Sequence, residues 1–213
     1  QQINPHFLYN TLDMIRLKAA INKDTEVSQM LMKLVSFYRL STKVYDSMVA
    51  VRKEVEMLDA YMSLMCYRYS DIIYRSEIEP GALDIEIPNF ILQPLLENSL
   101  MHGLKDRRYQ GTIILKIYRN EQDKNELNIW LIDDGIGIPD DKMAELNAYN
   151  AKDSEALYRV QTRTEGDRTH LGVINVISRL KLYYQENAEV IYMRNETGGT
   201  TVKIKIKTAS EET

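Results

Sequence analysis

His6 and Asn10 are the first residues of this 213-residue chain whose types and spacing suit chemistry. They lie in the run Gln2-Ile3-Asn4-Pro5-His6-Phe7-Leu8-Tyr9-Asn10-Thr11-Leu12. Ile3, Phe7 and Leu12 recur at near-helical spacing, and a proline inside such a run marks a helix that starts or kinks there. His6 and Asn10 then stand one turn apart on one face. Free imidazole titrates near ~6.5, so at pH 7 it is largely neutral and can act as a nucleophile. The pair alone assigns nothing, because a histidine on a helix is more often an ordinary surface or core residue. Later runs set polar groups beside glycine. They are Leu92 to Gly103 with Glu97, Asn98 and His102, then Asp133-Asp134-Gly135-Ile136-Gly137-Ile138-Pro139, then Leu171-Gly172-Val173-Ile174-Asn175-Val176. Gly135 and Gly137 permit a tight turn and close backbone approach to a ligand. Gly172, expected just ahead of a helix starting near Val173, would leave backbone N–H groups and the positive helix end facing an anion. Taken singly, Asp-Asp-Gly reads as a hairpin turn and Asn98 as a solvent-facing helix residue. His102 and His170 have no cysteine or carboxylate cluster at metal-ligand spacing, which argues against a zinc site.

The elements that must position these groups follow from breakers and periodicity. Residues 1 to 80 contain no glycine and only Pro5 and Pro80, so the first third should be helical. Helices are expected at about residues 3 to 22, 25 to 41 and 51 to 69, the second capped by side chains of Asn22-Lys23-Asp24-Thr25. Val27, Met30, Leu31, Leu34, Val35 and Tyr38 form one stripe, and Val51, Val55, Leu58, Met62 and Met65 another. Such stripes on short helices predict a bundle, and an apolar surface too large for one hairpin predicts a homodimer. Beyond Glu79-Pro80-Gly81 the pattern alternates between strand and helix. Strands are expected at 72 to 78, 112 to 119, 126 to 133, 188 to 194 and 200 to 207, and helices at 89 to 104, 140 to 148 and 173 to 186. In the last strand Val202, Ile204 and Ile206 face one way and Lys203, Lys205 and Lys207 the other, after a Gly198-Gly199 turn. A mostly antiparallel sheet with helices on one face makes the fold class α+β. The polar tract 149 to 170 is long for a connection inside a compact domain and reads as a lid or as disorder.

Composition bounds the function. A formal net charge of -4 argues against a nucleic-acid partner, which requires a concentrated basic surface. The single cysteine, Cys66, excludes an internal disulfide framework and fits a reducing compartment. No apolar run approaches the ~20 residues of a membrane helix. The chain opens inside the histidine run without an initiator methionine, so it is expected to be part of a longer protein.

Together the histidine run resembles the phosphoacceptor box of LytS/YesM-type sensor histidine kinases. The later runs resemble the asparagine box and two glycine boxes of the Bergerat (GHKL) ATP site shared by histidine kinases, gyrase B, Hsp90 and MutL. The resemblance spans nearly the whole chain. It implies a helical dimerisation and phosphoacceptor module over residues 1–69, then an α/β-sandwich ATP-binding domain over 70–213 with a lid near 140–170. His6 would accept a phosphoryl group from ATP and pass it to an aspartate of a response regulator. The implied cofactors are ATP and Mg²⁺. Asn98 would be the Mg²⁺ ligand, since its amide oxygen suits a hard cation without adding negative charge beside the triphosphate. Asp133 would accept the exocyclic amino group of adenine. His102, Gly135, Gly137, Gly172 and Thr200 complete the nucleotide-binding set.

The match has departures. His170 stands where a glycine is common, Val173 replaces leucine, and Met101 occupies the place of a phosphate-contacting lysine. Lys105, Arg107, Arg108, Arg163 and Arg168 are the candidate substitutes. Phe7 follows His6 where many related kinases carry an acid, so Glu97 or Asp13 is the candidate base. The Asn10 spacing matches a residue that orients water for regulator dephosphorylation. ATP and His6 must meet, which marks the segment near 67 to 72 and the lid as moving parts. By resemblance the intact protein is a bacterial membrane sensor, and this soluble piece its cytoplasmic portion. Two rivals remain open at this point: a degenerate kinase or ATP-gated module without histidine phosphorylation, and a nucleotide-free dimerisation scaffold.

Overall fold

The structure is a computed structural model that describes residues 5–41, 47–152, 156–157 and 168–208. Its first elements are helices α1 (Pro5–Ile21) and α2 (Thr25–Ser41). The turn between them is closed by Asp24, whose Oδ1 accepts the Val27 N–H at 3.1 Å, the side-chain cap expected from this stretch. Tyr9 meets Tyr38 edge to face, with ring centroids 5.4 Å apart, so the start of α1 lies against the end of α2. Helix α3 (Val51–Arg68) packs on α2 through Phe37 and Tyr61, 5.3 Å between centroids, and through Lys33, whose Nζ donates to Ser63 Oγ at 2.6 Å.

The sheet has five strands in the order β2 (Ile72–Ile78), β4 (Gly111–Arg119), β5 (Glu126–Asp133), β7 (Thr200–Lys207), β6 (Ala188–Arg194). Its pairs are antiparallel except β2 with β4, which run parallel from Ile72 opposite Gly111 to Ile78 opposite Ile117. A two-stranded ladder, β1 (Met48–Ala50) with β3 (Glu86–Pro88), is too short for periodicity to announce. The core face carries Ile113, Leu115 and Ile117, then Leu127, Ile129 and Leu131, then Val202, Ile204 and Ile206, all buried. Helices α3, α4 (Gln93–Asn98) and α6 (Arg168–Tyr184) cover it. Val51, Val55, Leu58 and Met62 place α3 in this core rather than in a separate helical one. On the other face Lys203 sits 4.0 Å from the Trp130 ring centroid, an arrangement that shields the indole without a covering helix.

The helix expected at 89 to 104 is shorter and has two parts. Its α-helical portion spans Gln93–Asn98, and Ser99–Leu104 continues in wider π-type turns. Residues ahead of it are claimed by Glu54 of α3, 1% exposed, which accepts the N–H groups of Phe90 at 2.7 Å, Ile91 at 3.1 Å and Leu92 at 3.0 Å. A carboxylate thus takes the free amides at the entry of α4. Burial pushes the Glu54 carboxyl above its usual range, while these three amides and Arg179 pull it back.

Two segments expected to move are packed where the structure describes them. The segment near 67 to 72 is packed: Tyr69 stacks on Tyr109 at 3.9 Å, and Ile72 is buried. The front of the expected lid is helix α5 (Asp140–Ala148), fastened to the edge strand β6. Asn147 exchanges two hydrogen bonds with the Tyr192 backbone, and Asn150 two with Val190, so both side chains continue the ladder. Lys181 of α6 donates to the carbonyls of Asn150 and Lys152, holding the end of this segment. Most of the remaining lid lies outside the described residues, as does Arg163.

Candidate nucleotide site

At the C-terminal end of β5 the chain buries a carboxylate. Asp133 is 2% exposed and is held by three donors: Ser99 Oγ to Oδ2 at 2.9 Å, the Gly135 N–H to Oδ1 at 3.0 Å and the Thr200 N–H to Oδ1 at 3.2 Å. Burial raises its carboxyl above the usual range, against the opposing pull of Ser99, Gly135 and Thr200. Thr200, the first residue of β7, therefore contributes its backbone N–H to the aspartate. Asn195 closes the other side, donating to the Asp133 carbonyl at 2.7 Å.

The glycines here serve close approach. A Cβ on Gly135 would lie 2.5 Å from the Gly103 carbonyl oxygen, so the loop after β5 runs directly against the end of the π-type turns. Gly137 has φ +76°, a left-handed conformation that L side chains disfavour. Asp134 faces elsewhere: its Oδ1 accepts the Thr112 N–H at 2.8 Å and pairs with Arg107 at 3.6 Å. Arg107 is thereby held beside the ends of β4 and β5.

Between these elements opens a cavity of about 490 Å³, lined by Asn98, Ser99, Met101, His102, Gly103 and Lys105 on one wall. Asp133, Gly137 and Thr200 form its floor with Val173 and Val202, and Ile138, Lys142 and Leu146 lie on the far side. Its size falls within the range of small-molecule sites, and its lining of apolar side chains with a few polar groups, one of them the buried Asp133 carboxylate, is their usual composition. An adenine ring fits this chemistry, because its exocyclic amine would find an acceptor in the Asp133 carboxylate and the lining also offers apolar Val173 and Leu146. Mg²⁺ fits as a guest of the nucleotide: Asn98 offers an amide oxygen, and no group of three or more His, Cys, Asp or Glu among the described residues could hold a metal alone. Lys105 and Lys142 are the lysines on its walls, whereas Met101, 43% exposed, brings no charge.

Other candidates sit apart from the cavity. Gly172 lies inside α6, four residues past its start at Arg168, rather than ahead of the helix as the glycine pattern predicts. The first four amides of a helix are the free ones, and the earlier start moves them upstream of Gly172. Glu97 does not line the cavity; it accepts from Gln93 Nε2 at 2.8 Å, and its charge helps hold the Tyr61 hydroxyl up at about 12, after burial as the main cause. It faces α3. Asp13 is paired with Arg16 at 2.7 Å, which lowers its carboxyl and weakens it as a proton acceptor. His6 is exposed, with Asn10 Nδ2 3.4 Å from its Nδ1. Helix α1 packs on α2, α2 on α3 and α3 on α4, and His6 is not among the residues that line the cavity. Sequence reasoning missed Ser99, Glu54 and Asn195, whose roles depend on partners 34, 36 and 62 positions away.

Comparison with known proteins agrees with this geometry. Residues 1–73 match the histidine kinase family model, and residues 84–210 match the model for histidine kinase-, DNA gyrase B-, and HSP90-like ATPases. Sensor protein LytS of Oceanobacillus iheyensis is 34% identical over 204 residues, 95% of this chain and 32% of that protein. Sensor histidine kinase YpdA of Escherichia coli is 27% identical over 209 residues, 96% of this chain and 33% of that protein. The chain thus spans about a third of each of these relatives. Among solved structures, the catalytic domain of histidine kinase ThkA superposes with a TM-score of 0.52 at 12% identity, covering 78% of this chain and 100% of that one. The histidine kinase domain of the Erythrobacter litoralis EL346 blue-light activated kinase gives 0.50 at 18% identity, covering 92% and 84%. Both support the fold. The chain belongs to the family of histidine kinase-, DNA gyrase B- and HSP90-like ATPases, and within it to the sensor histidine kinases of the LytS type.

Proposed function

We propose that this chain binds ATP with Mg²⁺, phosphorylates His6, and hands the phosphoryl group to an aspartate of a response-regulator receiver domain. The observation that carries the reading is Asp133: a buried carboxylate, fixed by three donors at the floor of a cavity that Asn98 also lines, in a chain that displays the His6–Asn10 pair on an exposed helix. Asp133 would select the base, the loop of Gly135 and Gly137 would let backbone approach it, and Asn98 would carry the cation. Mg²⁺ bound with the nucleotide neutralises phosphate charge during transfer. Lys105 and Lys142 supply positive charge where Met101 does not.

Phosphoryl transfer demands positioning above all. Attack through His6 Nε2 needs a lone pair on that nitrogen, so the ring proton must sit on Nδ1, and Asn10 must turn its amide oxygen toward it. Asn10 would then fix the reactive tautomer and, in a later step, orient a water for regulator dephosphorylation. The α1–α2 hairpin must swing against α3, or the partner's helix must enter, for His6 to reach the cavity. On such an approach Glu97, on α4, stays the candidate base, since Asp13 is occupied by Arg16. Phe7, Met14 and Ile21 are 66%, 63% and 75% exposed at heptad spacing along α1, a face suited to a second copy in a homodimer. Division of labour follows: residues 1–69 supply phosphoacceptor and dimer face, residues 70–213 the nucleotide site, and α3 joins them by packing with the second. No described helix is long and apolar enough to cross a membrane; the complete protein is proposed to be membrane-anchored, with this portion in the cytoplasm.

Titration calorimetry with ATP and Mg²⁺ tests the site. Saturable binding to the unaltered chain, weakened about tenfold to a hundredfold in Asp133→Asn and in Asn98→Ala, is expected from losing a charged hydrogen bond or a metal ligand. No saturable binding would refute it.

A further inference from the structure

We propose that Ser99 is a positioning residue for base selection: its hydroxyl holds the Asp133 carboxylate with one acceptor direction open to the cavity, favouring a purine with a 6-amino group over one with a 6-oxo group. The inference rests on the ATP-site reading above. Ser99 and Asp133 are 5% and 2% exposed, and their bond joins the first π-type turn to the end of β5. An ionised carboxylate offers about four lone-pair positions. Gly135 and Thr200 take both on Oδ1, and Ser99 takes one on Oδ2, so the remaining one belongs to Oδ2 of a carboxylate that lines the cavity. It accepts one N–H. A 6-oxo purine would set oxygen against oxygen and leave both unpaired, which is the kind of mismatch that gives strong discrimination.

Removing the hydroxyl leaves Oδ2 without a protein donor, and the carboxylate is free to turn. It also removes the largest of the influences that oppose the effect of burial on Asp133. The sign follows. Protonated Asp133 loses acceptor capacity, so ATP binding weakens as pH falls through its pKa, and without Ser99 that decline begins at higher pH. Other groups around the cavity, Asp134 beside it and His102, Lys105, Asp106 and Lys142 on the walls, are common to both proteins, so the difference between profiles reports Asp133.

The test is calorimetric titration of the chain with ATP–Mg²⁺ and inosine triphosphate–Mg²⁺ between pH 5 and 8, for wild type, Ser99→Ala, Ser99→Thr and Asp133→Asn. Ser99→Ala is expected to lose roughly tenfold in ATP affinity with little change for inosine triphosphate, and to show its acid decline at higher pH. Ser99→Thr, which keeps the hydroxyl, retains the wild-type profile. An unchanged nucleotide ratio and unchanged profile in Ser99→Ala, with Asp133→Asn impaired, would overturn the role of Ser99 alone. Wild type without binding, or Asp133→Asn equal to wild type, would bring down the site reading and this inference with it. Should Ser99→Ala fail to fold, near-isosteric Ser99→Cys, a weaker donor, reads the same changes at smaller size.

Discussion

Gly135 and Gly172 both stand in glycine boxes, yet their surroundings predict opposite responses to the same change. At Gly135 a methyl group meets the Gly103 carbonyl at 2.5 Å, so Gly135→Ala must displace backbone and should cost about 1–3 kcal/mol along with nucleotide binding. At Gly172 the nearest atom is Pro94 Cβ at 3.6 Å, ordinary contact inside a helix, so Gly172→Ala should stabilise by ~0.5–1 kcal/mol. Thermal unfolding with and without ATP reads both: the first variant melts lower and loses the ligand-induced shift, the second melts higher. A lower melting point for Gly172→Ala would contradict its place inside α6. Asp133 drew attention in the sequence because it ends a strand and leads into Asp-Gly-Ile-Gly, and the structure buries it in the cavity lining. Ser99 was not, since a serine within a helical run looks bland until the fold sets it against a residue 34 positions later. Glu54 was hidden likewise, a glutamate on a helix with other charges that only tertiary packing buries.

Element boundaries followed from periodicity where strands alternate and helices lack breakers. The strands at 126 to 133, 188 to 194 and 200 to 207 sit as expected, because Val202, Ile204 and Ile206 could face only one core. Expectation failed where another element takes the backbone. Helix α4 starts late because Glu54 holds the amides of Phe90, Ile91 and Leu92, and this grip sets the height at which Asn98 and Ser99 enter the cavity. Glu54→Ala leaves three amides unpaired and should destabilise by about 3 kcal/mol in urea denaturation at pH 7. The pH dependence has a definite sign. Burial raises the folded-state pKa of Glu54 above its ordinary value of 4.5, so the associated stability is complete below 4.5 and is lost as pH climbs through the raised value. The gap between wild type and Glu54→Ala should therefore widen as pH is lowered toward 4.5. A gap that narrows would place the cause outside Glu54.

At the scale of the whole molecule the proposed phosphoacceptor and the candidate nucleotide cavity are joined by one shared helix. The histidine pair rides on a hairpin with an exposed apolar face, the nucleotide cavity lies between α4 and the sheet, and α3 packs with both. The order of motifs made this plan readable in the sequence. That α3 belongs to the sheet's core while also packing on α2 was not readable, because both contacts depend on tertiary packing. The proposed transfer, with His6 outside the cavity lining, calls for movement of the hairpin or a second protomer. The central claim, that ATP bound at Asp133 and Asn98 phosphorylates His6, is tested most directly by incubating the purified chain with γ-labelled ATP and Mg²⁺ and scoring protein-bound label for acid lability. The account predicts acid-labile label in the wild type, none in His6→Gln, and strong reduction in Asn98→Ala. Label that persists in His6→Gln would contradict it.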